Sequence, residues 1–174
     1  RGNSLQAESG ILQNFVNDYF FDSKGDVMII LDIHSGFGAI DSVWWPYAGS
    51  KNNCEDHEFY KKISEKLSTE NNLTGYKFEP QSTAYTTHGD LWDKFYNTFI
   101  EEKKNGLRNK DRKFLPLTLE IGTWADIKND PLKIFRKRGI FNPSSKKKEE
   151  FIKSHRDFLT NLIKLANSKP SDWT

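Results

Sequence analysis

Cysteine is almost absent from this sequence, since Cys54 is the only one among 174 residues. A single thiol excludes an internal disulfide and a zinc cluster built from several thiolates, and it slightly favours a cytoplasmic location. No apolar run approaches the roughly 20 residues that cross a bilayer. No signal peptide is visible, but the sequence opens at Arg1 without a Met, so its localisation is left unknown.

An excess of charge of one sign is also lacking. The 26 basic and 24 acidic side chains leave a formal net charge of +2, and they are intermixed along the chain. This balance gives no electrostatic footprint for nucleic acid or an anionic membrane, and neither partner is expected. What the sequence does contain is aromatic material, with thirteen Phe, six Tyr and five Trp. These side chains predict a folded protein with a substantial core, and residues 1–174 suit a single domain.

Two short apolar runs, residues 27–31 and 114–119, predict strands buried on both faces, as found inside α/β sheets. Residues 43–47 fit either a strand or an aromatic loop, and residues 75–79 are a weaker strand candidate. Residues 101–113 are predicted to form a charged loop. Amphipathic spacing predicts helices at residues 5–20, 55–66, 91–100 and 146–166. The apolar stripe expected on the last helix consists of Phe151, Ile152, Leu159, Leu162, Ile163 and Ala166.

Polar side chains stand at the ends of the two strongest predicted strands. His34 follows the first run and Glu120 follows the second, each with a glycine close behind. In open α/β sheets, ligands bind just beyond the carboxyl ends of the strands. Imidazole is a good zinc ligand, and Asp32, two residues earlier on the same side of a regular strand, is placed to fix its tautomer. Burial of Glu120 would raise its pKa toward a range useful for proton transfer. The alternative interpretation is that both residues are structural and hydrogen-bonded to loops.

Other polar groupings are weaker. Cys54 and His57 have a suggestive spacing, but two ligands without a second pair make a poor metal motif, and both are predicted at the surface. Residues 44–47, Trp-Trp-Pro-Tyr, fit a pocket lining or ordinary core equally well. Residues 146–148, three lysines, are interpreted as a solvated first helical turn. The Asn-Leu-Thr triplet at residues 72–74 means little without a secretory context.

Three segments, in this order, resemble the zinc carboxypeptidase family and its succinylglutamate desuccinylase and aspartoacylase relatives. Residues 32–36, Asp-Ile-His-Ser-Gly, resemble the end of the strand that delivers the third zinc ligand of that family. Residues 85–93, Tyr-Thr-Thr-His-Gly-Asp-Leu-Trp-Asp, resemble the segment with a mobile tyrosine before a helix start. Residues 117–123, Leu-Thr-Leu-Glu-Ile-Gly-Thr, resemble the strand with the catalytic glutamate, in a form closer to bacterial members than to digestive carboxypeptidases.

The resemblance implies an α/β fold with a mixed, mostly parallel sheet flanked by helices. It implies a zinc metallopeptidase or amidohydrolase that cleaves an amide bond next to a carboxylate, with a peptide or an N-acyl amino acid as substrate. His34 would then be a ligand of one zinc ion, Glu120 the general base and acid, and Tyr85 the residue that closes over the substrate. The alternatives are an N-acyl-amino-acid deacylase of the same fold and a non-catalytic binding module that has lost the metal.

The sequence also departs from the family pattern. The family binds zinc first through a His-x-x-Glu pair upstream of the third ligand, but the residues three after the four histidines are Phe37, Tyr60, Leu91 and Phe158. An Asn-Arg segment that would hold a substrate carboxylate is also absent. The expectation is therefore that residues 1–174 correspond to the C-terminal portion of such a catalytic domain, with the remaining zinc ligands upstream.

Overall fold

A computed structural model of the chain describes residues 6–22, 24–34, 41–70, 75–108, 111–121, 132, 145–169 and 173. The strands within these ranges are β1 Val27–His34, β2 Ser42–Trp45, β3 Lys77–Pro80 and β4 Lys113–Glu120. The helices are α1 Ala7–Phe15, α2 His57–Glu70, α3 Gln81–Ala84, α4 Leu91–Lys104 and α5 Ser145–Ala166. None of the helices described has the length and apolar character needed to cross a membrane.

The four strands form one sheet in the order β1-β4-β2-β3. β1 pairs with β4 in parallel, and β2 pairs with β3 in parallel, while β2 and β4 are antiparallel. The sheet is therefore mixed and mostly parallel, with helices around it, and the predicted α/β fold class is confirmed. Residues 43–47 are a strand for most of their length, so the first of their two interpretations is correct.

The two long strands differ in burial, although both were predicted to be buried on both faces. In β4 every residue from Phe114 to Glu120 is buried. In β1 only Met28 is buried, and most of the other positions are half-buried. The prediction is wrong for β1 because, in the described sheet, this strand has β4 on one side and no second neighbour.

The N-terminal helix ends in a wider turn. α1 continues into a π-helical segment, Val16–Phe21, in which the amide of Asp22 donates to the carbonyl of Asn17 at 3.0 Å. The guanidinium groups of Arg108 and Arg112 both donate to the carbonyl of Phe21, so the end of the helix is satisfied by side chains. These arginines come from the region predicted as a charged loop, and that prediction is wrong for its first residues, since α4 extends to Lys104.

The last helix forms as predicted, and its buried face matches the predicted stripe in part, since Leu162 is buried and Leu159 is half-buried against the core. The described side chains that it buries are His155, Phe158, Leu162 and Leu165. Ile152 and Ile163, both expected in the apolar stripe, are 65% and 60% exposed. Phe158 stacks on Tyr76, with ring centroids 4.9 Å apart, and the hydroxyl of Tyr76 lies 2.6 Å from His155 Nδ1. The buried face is therefore set by the aromatic residues next to β3, which the helical pattern alone does not reveal.

A buried polar cluster lies where Cys54 and His57 were predicted at the surface. That prediction is wrong, since Cys54 is 4% exposed and His57 is 9% exposed. Burial raises the pKa of the Cys54 thiol to about 11, so it stays protonated at neutral pH. Between them Asp56 accepts a hydrogen bond from Tyr96 at 2.9 Å and forms an ion pair with Lys113. The segment before α2 thus faces the core because Asp56 joins α4 to the start of β4.

Asp56→Ala should destabilise the fold by about 2 to 3 kcal/mol, because it leaves the buried Tyr96 hydroxyl without its acceptor and Lys113 without its counter-ion. Urea unfolding followed by tryptophan fluorescence measures the change. Asp157→Ala is the matched control, since Asp157 pairs with Arg156 on an exposed part of α5. This control should unfold at the same denaturant concentration as the parent, or slightly higher. An equal loss in both variants would contradict the structural role of Asp56.

Candidate functional site

The pairing of β1 with β4 places His34 beside Glu120. The two residues are direct neighbours in the parallel register, and Asp32 is the neighbour of Thr118. Side chains two apart on a strand share a face, so all four project from the same side of the sheet. His34 Nδ1 lies 3.3 Å from Glu120 Oε1. Two residues 86 positions apart in the sequence are thereby brought into contact at the carboxyl ends of two parallel strands.

The second nitrogen of the His34 ring also has a partner. Nε2 lies 3.0 Å from Asp32 Oδ2, as the two-residue spacing on β1 led us to expect. The same Asp32 oxygen accepts a hydrogen bond of 2.8 Å from the indole Nε1–H of Trp92. His34 is half-exposed, whereas the Glu120 side chain is almost fully buried. The imidazole therefore stands between two carboxylates with one side open to incoming molecules.

The environment of Glu120 favours its protonated form. Burial raises the pKa of this carboxyl, and the charge of Asp32 raises it further, while the charge and hydrogen bond of His34 act in the opposite direction. Its Oε2 atom is buried and has no hydrogen-bond partner among the described residues. Buried polar atoms in proteins are nearly always paired, so an orphaned carboxylate oxygen here is typical of a group that acts on a ligand.

Tyr85 lies on the same side of the sheet, in the loop between α3 and α4. Its ring meets Trp44 edge-on, with the centroids 5.6 Å apart, and about half of the residue is exposed. Burial raises the pKa of the Tyr85 hydroxyl, and the negative charges of Glu120 and Asp90 raise it further. The ring is thus neutral at physiological pH, close enough to Glu120 to sense its charge, and accessible from solvent.

The loop that carries Tyr85 is attached to the loop after β2 by hydrogen bonds. The Asp93 carboxylate accepts from the amides of Ala48 at 3.0 Å and Gly49 at 2.8 Å. The amide of Thr87 donates to the carbonyl of Ala48 at 3.0 Å. A Cβ added at Gly49 would lie 3.1 Å from the carbonyl oxygen of Thr87, so a larger residue here would force that carbonyl to shift by a few tenths of an ångström. The two loops therefore form one rigid rim beside Glu120.

A small cavity of about 10 Å³ opens beside this rim, between the sheet and the start of α4. Trp44, Asp90, Trp92 and Thr118 are among its lining residues. The indole Nε1–H of Trp44 is buried and lacks a partner in the described part of the chain. Trp44 and Trp45 are buried, which confirms core packing for this part of residues 44–47, and both also border the small cavity.

The described residues do not by themselves complete a metal centre. Within these ranges no group of three or more His, Cys, Asp or Glu side chains converges as metal ligands would. His34 and Glu120 would supply only part of such a site. A ring nitrogen able to bind a metal lies beside a buried carboxyl whose Oε2 has no hydrogen-bond partner among the described residues. Residues 35–40 follow the end of β1, and residues 122–131 come shortly after the end of β4. Both segments lie outside the described residues.

No family model matches this chain, and no curated protein matches it either. The site therefore rests on its geometry. Sequence reasoning selected His34, Glu120 and Tyr85, which lie together, and it also selected Asp32 as the partner of His34. It missed Trp92, which sits in the segment that was singled out for Tyr85. The amphipathic pattern of α4 gives no signal that this indole reaches β1, because the contact joins residues 60 positions apart.

The raised pKa of Glu120 predicts how stability depends on pH. Folding favours the protonated carboxyl, so the free energy of unfolding should fall as the pH rises through that raised pKa. Glu120→Gln removes the buried charge, and this variant should be more stable than the parent at about pH 7. The difference should vanish at about pH 3, where the carboxyl is protonated in both states.

Urea unfolding at the two pH values measures this effect, with Glu101→Gln at an exposed position of α4 as the matched control. The control should show no such pH-dependent difference from the parent. A Glu120→Gln protein that is less stable than the parent at neutral pH would mean that the carboxylate is held as a structural charge.

Proposed function

We propose that this protein belongs to the zinc-dependent hydrolases that cleave an amide bond next to a carboxylate, in the manner of a carboxypeptidase. The observation that carries the proposal is the contact between His34 and Glu120. A half-exposed imidazole, which is a good zinc ligand, lies 3.3 Å from a buried carboxyl whose pKa is raised and whose second oxygen has no partner among the described residues.

In this proposal His34 supplies one of the ligands of a single zinc ion, which, when bound, would polarise the substrate carbonyl and make a water molecule easier to deprotonate. A catalytic zinc ordinarily has three protein ligands. The sequence contains no His-x-x-Glu pair, so the proposal assigns the remaining ligands to polypeptide upstream of His34 that the 174 residues do not include. The resemblance of three segments to zinc carboxypeptidases supports this arrangement.

Glu120 would act as the general base and then as the general acid. Its carboxylate accepts the proton of the attacking water and later delivers that proton to the departing amine. A raised pKa suits both steps, because the group must bind the proton firmly in one step and release it in the next. Burial supplies that shift, and the hydrogen bond with His34 limits it.

Tyr85 would close over the bound substrate and donate a hydrogen bond from its neutral hydroxyl. About half of Tyr85 is exposed and its ring meets Trp44 edge-on, so in this proposal the ring turns toward Glu120 when substrate binds. The rigid rim formed by the two bonded loops provides the fixed base from which such a movement would start. Tyr85 would thereby exclude water from the reacting carbonyl.

In the zinc-loaded protein that includes the upstream polypeptide, Glu120→Gln should abolish hydrolysis, lowering kcat by at least about 10³-fold, while zinc content stays near that of the parent. Amide cleavage is followed with peptides that end in a free carboxylate and with N-acyl amino acids, and bound metal is measured by elemental analysis. Glu79→Gln is the control, since Glu79 is also a buried strand glutamate but pairs with Lys77. Turnover by Glu120→Gln equal to that of the parent would remove Glu120 from the mechanism.

The two substrates separate the alternatives within this class. Cleavage of the peptide supports a carboxypeptidase, and cleavage of only the N-acyl amino acid supports the deacylase. If the protein that includes this upstream polypeptide, prepared without chelators, contains no zinc and cleaves neither substrate, the non-catalytic binding module is the correct interpretation and the hydrolase proposal fails.

Tyr85→Phe should lower kcat/KM by about tenfold, the equivalent of one hydrogen bond worth ~1.4 kcal/mol. The phenyl ring keeps its edge-on contact with Trp44 and loses only a half-exposed hydrogen bond with Gln81, so the stability of the fold should change little. Steady-state kinetics on the better of the two substrates tests this expectation. Tyr19→Phe, an exposed tyrosine on the π-helical segment, serves as the control and should match the parent. Parental kcat/KM in Tyr85→Phe would show that the hydroxyl takes no part.

A further inference from the structure

The hydrogen-bond chain from α4 to His34 is the feature that the proposed function does not use. The indole of Trp92 donates to Asp32 Oδ2 at 2.8 Å, and the same oxygen lies 3.0 Å from His34 Nε2. Trp92 comes from the first turn of α4, a separate element that lies over the sheet face bearing His34. A residue distant in the sequence therefore contacts the partner of His34 rather than His34 itself.

A neutral imidazole carries one ring proton, and here two carboxyl groups compete for it. Asp32 faces Nε2 at 3.0 Å, and Glu120 faces Nδ1 at 3.3 Å. If the proton sits on Nδ1, the lone pair that a metal ion needs points toward Asp32 on the same strand. If the proton sits on Nε2, the free lone pair of Nδ1 lies on the side of Glu120. The position of this one proton thus decides whether the free lone pair of His34 lies beside Asp32 or beside Glu120.

We propose that Trp92 is a positioning residue for His34: its indole N–H holds the Asp32 carboxylate in place, and Asp32 keeps the ring proton on Nε2 and leaves Nδ1 free beside Glu120. The Asp32 side chain is about one-third exposed, so without Trp92 its carboxylate could rotate toward solvent. A second hydrogen bond to the same oxygen removes that freedom. This inference rests on the proposed function for its catalytic meaning, but the hydrogen-bond chain itself exists without metal.

The start of α4 is built to hold Trp92 at this point. Asp90 caps the helix by accepting from the amide of Asp93 at 2.9 Å, and Asp93 in turn accepts from the two amides of the loop after β2. The indole ring also packs against Phe95, with the centroids 5.9 Å apart. The indole N–H of Trp92 therefore lies at a helix end that several contacts hold in place. Groups that hydrogen-bond to metal ligands or to their partners are commonly held in this way.

The test is the position of the His34 ring proton in the metal-free protein, read from nitrogen-15 spectra of the histidine rings at an alkaline pH where histidine is ordinarily neutral. His34→Gln identifies the signals. In the parent the proton should lie on Nε2. In Trp92→Phe and in Asp32→Ala it should move largely to Nδ1, toward Glu120, and adding Trp92→Phe to Asp32→Ala should change nothing more. Trp173→Phe is the matched control, because it removes an indole N–H that is bonded to Ser168 instead.

A ring proton that stays on Nε2 in Trp92→Phe but moves in Asp32→Ala would overturn the role of Trp92. Equal, additive effects of the two substitutions would also overturn it, because they would mean that Trp92 does not act through Asp32. If Trp92→Phe does not fold, the indole N–H signal of Trp92 is compared between the parent and Asp32→Ala. The signal should shift when its acceptor is removed, and an unchanged signal overturns the proposal.

Zinc binding then separates this inference from the proposed function. In a protein that binds zinc, Trp92→Phe should weaken the affinity by about tenfold, as changes to the partners of metal-ligating histidines commonly do. One outcome would overturn the positioning role alone. The protein would bind zinc and hydrolyse amides through Glu120, but the His34 ring proton would stay in the same position in Trp92→Phe as in the parent. If the ring proton depends on Trp92 in a protein that includes the upstream polypeptide but neither binds zinc nor hydrolyses amides, the positioning role is upheld and the proposed function is overturned.

Discussion

The parallel register of β1 and β4 is the constraint on which the rest of the site depends. It pairs His34 with Glu120 and Asp32 with Thr118, and the two-residue period of a strand sends all four side chains to one face. A shift of one residue would place Glu120 against the opposite face from His34. The apolar residues of β4 prevent that shift, because they are buried on both sides and a slip would expose or displace them. The core of β4 therefore fixes the chemistry at its end.

The two ends of β4 differ in how completely their buried charges are paired. At its start Lys113 pairs with the buried Asp56, so the charges compensate one another and hold α4 against the sheet. At its end Glu120 is equally buried but only partly compensated, with one oxygen unpaired among the described residues. A buried carboxylate that lacks full compensation lowers stability at neutral pH, and proteins commonly accept this cost at sites of function.

The rim beside Glu120 shows how short segments far apart in the chain become one rigid unit. Asp93 joins the start of α4 to the loop after β2, and the two loops approach closely at Gly49, where an added Cβ would lie 3.1 Å from the Thr87 carbonyl oxygen. Trp92 and Tyr85 both stand on this unit, one directed to Asp32 and the other against Trp44. The hydrogen bonds between the two loops thus hold both Trp92, which contacts β1, and Tyr85, whose ring stays exposed.

The sequence by itself determined the fold class, the two long strands and the positions of His34 and Glu120 at their ends, because apolar runs and the polar residues that interrupt them are local signals. It also indicated the contact of Asp32 with His34, since residues two apart on one strand share a face. The burial of Cys54 and His57, the edge position of β1 and the buried face of α5 were decided only by the tertiary structure. Each depends on neighbours that are distant in the chain. The contact of Trp92 with Asp32 belongs to the same group, because a hydrogen bond across 60 residues has no periodicity that a sequence can display.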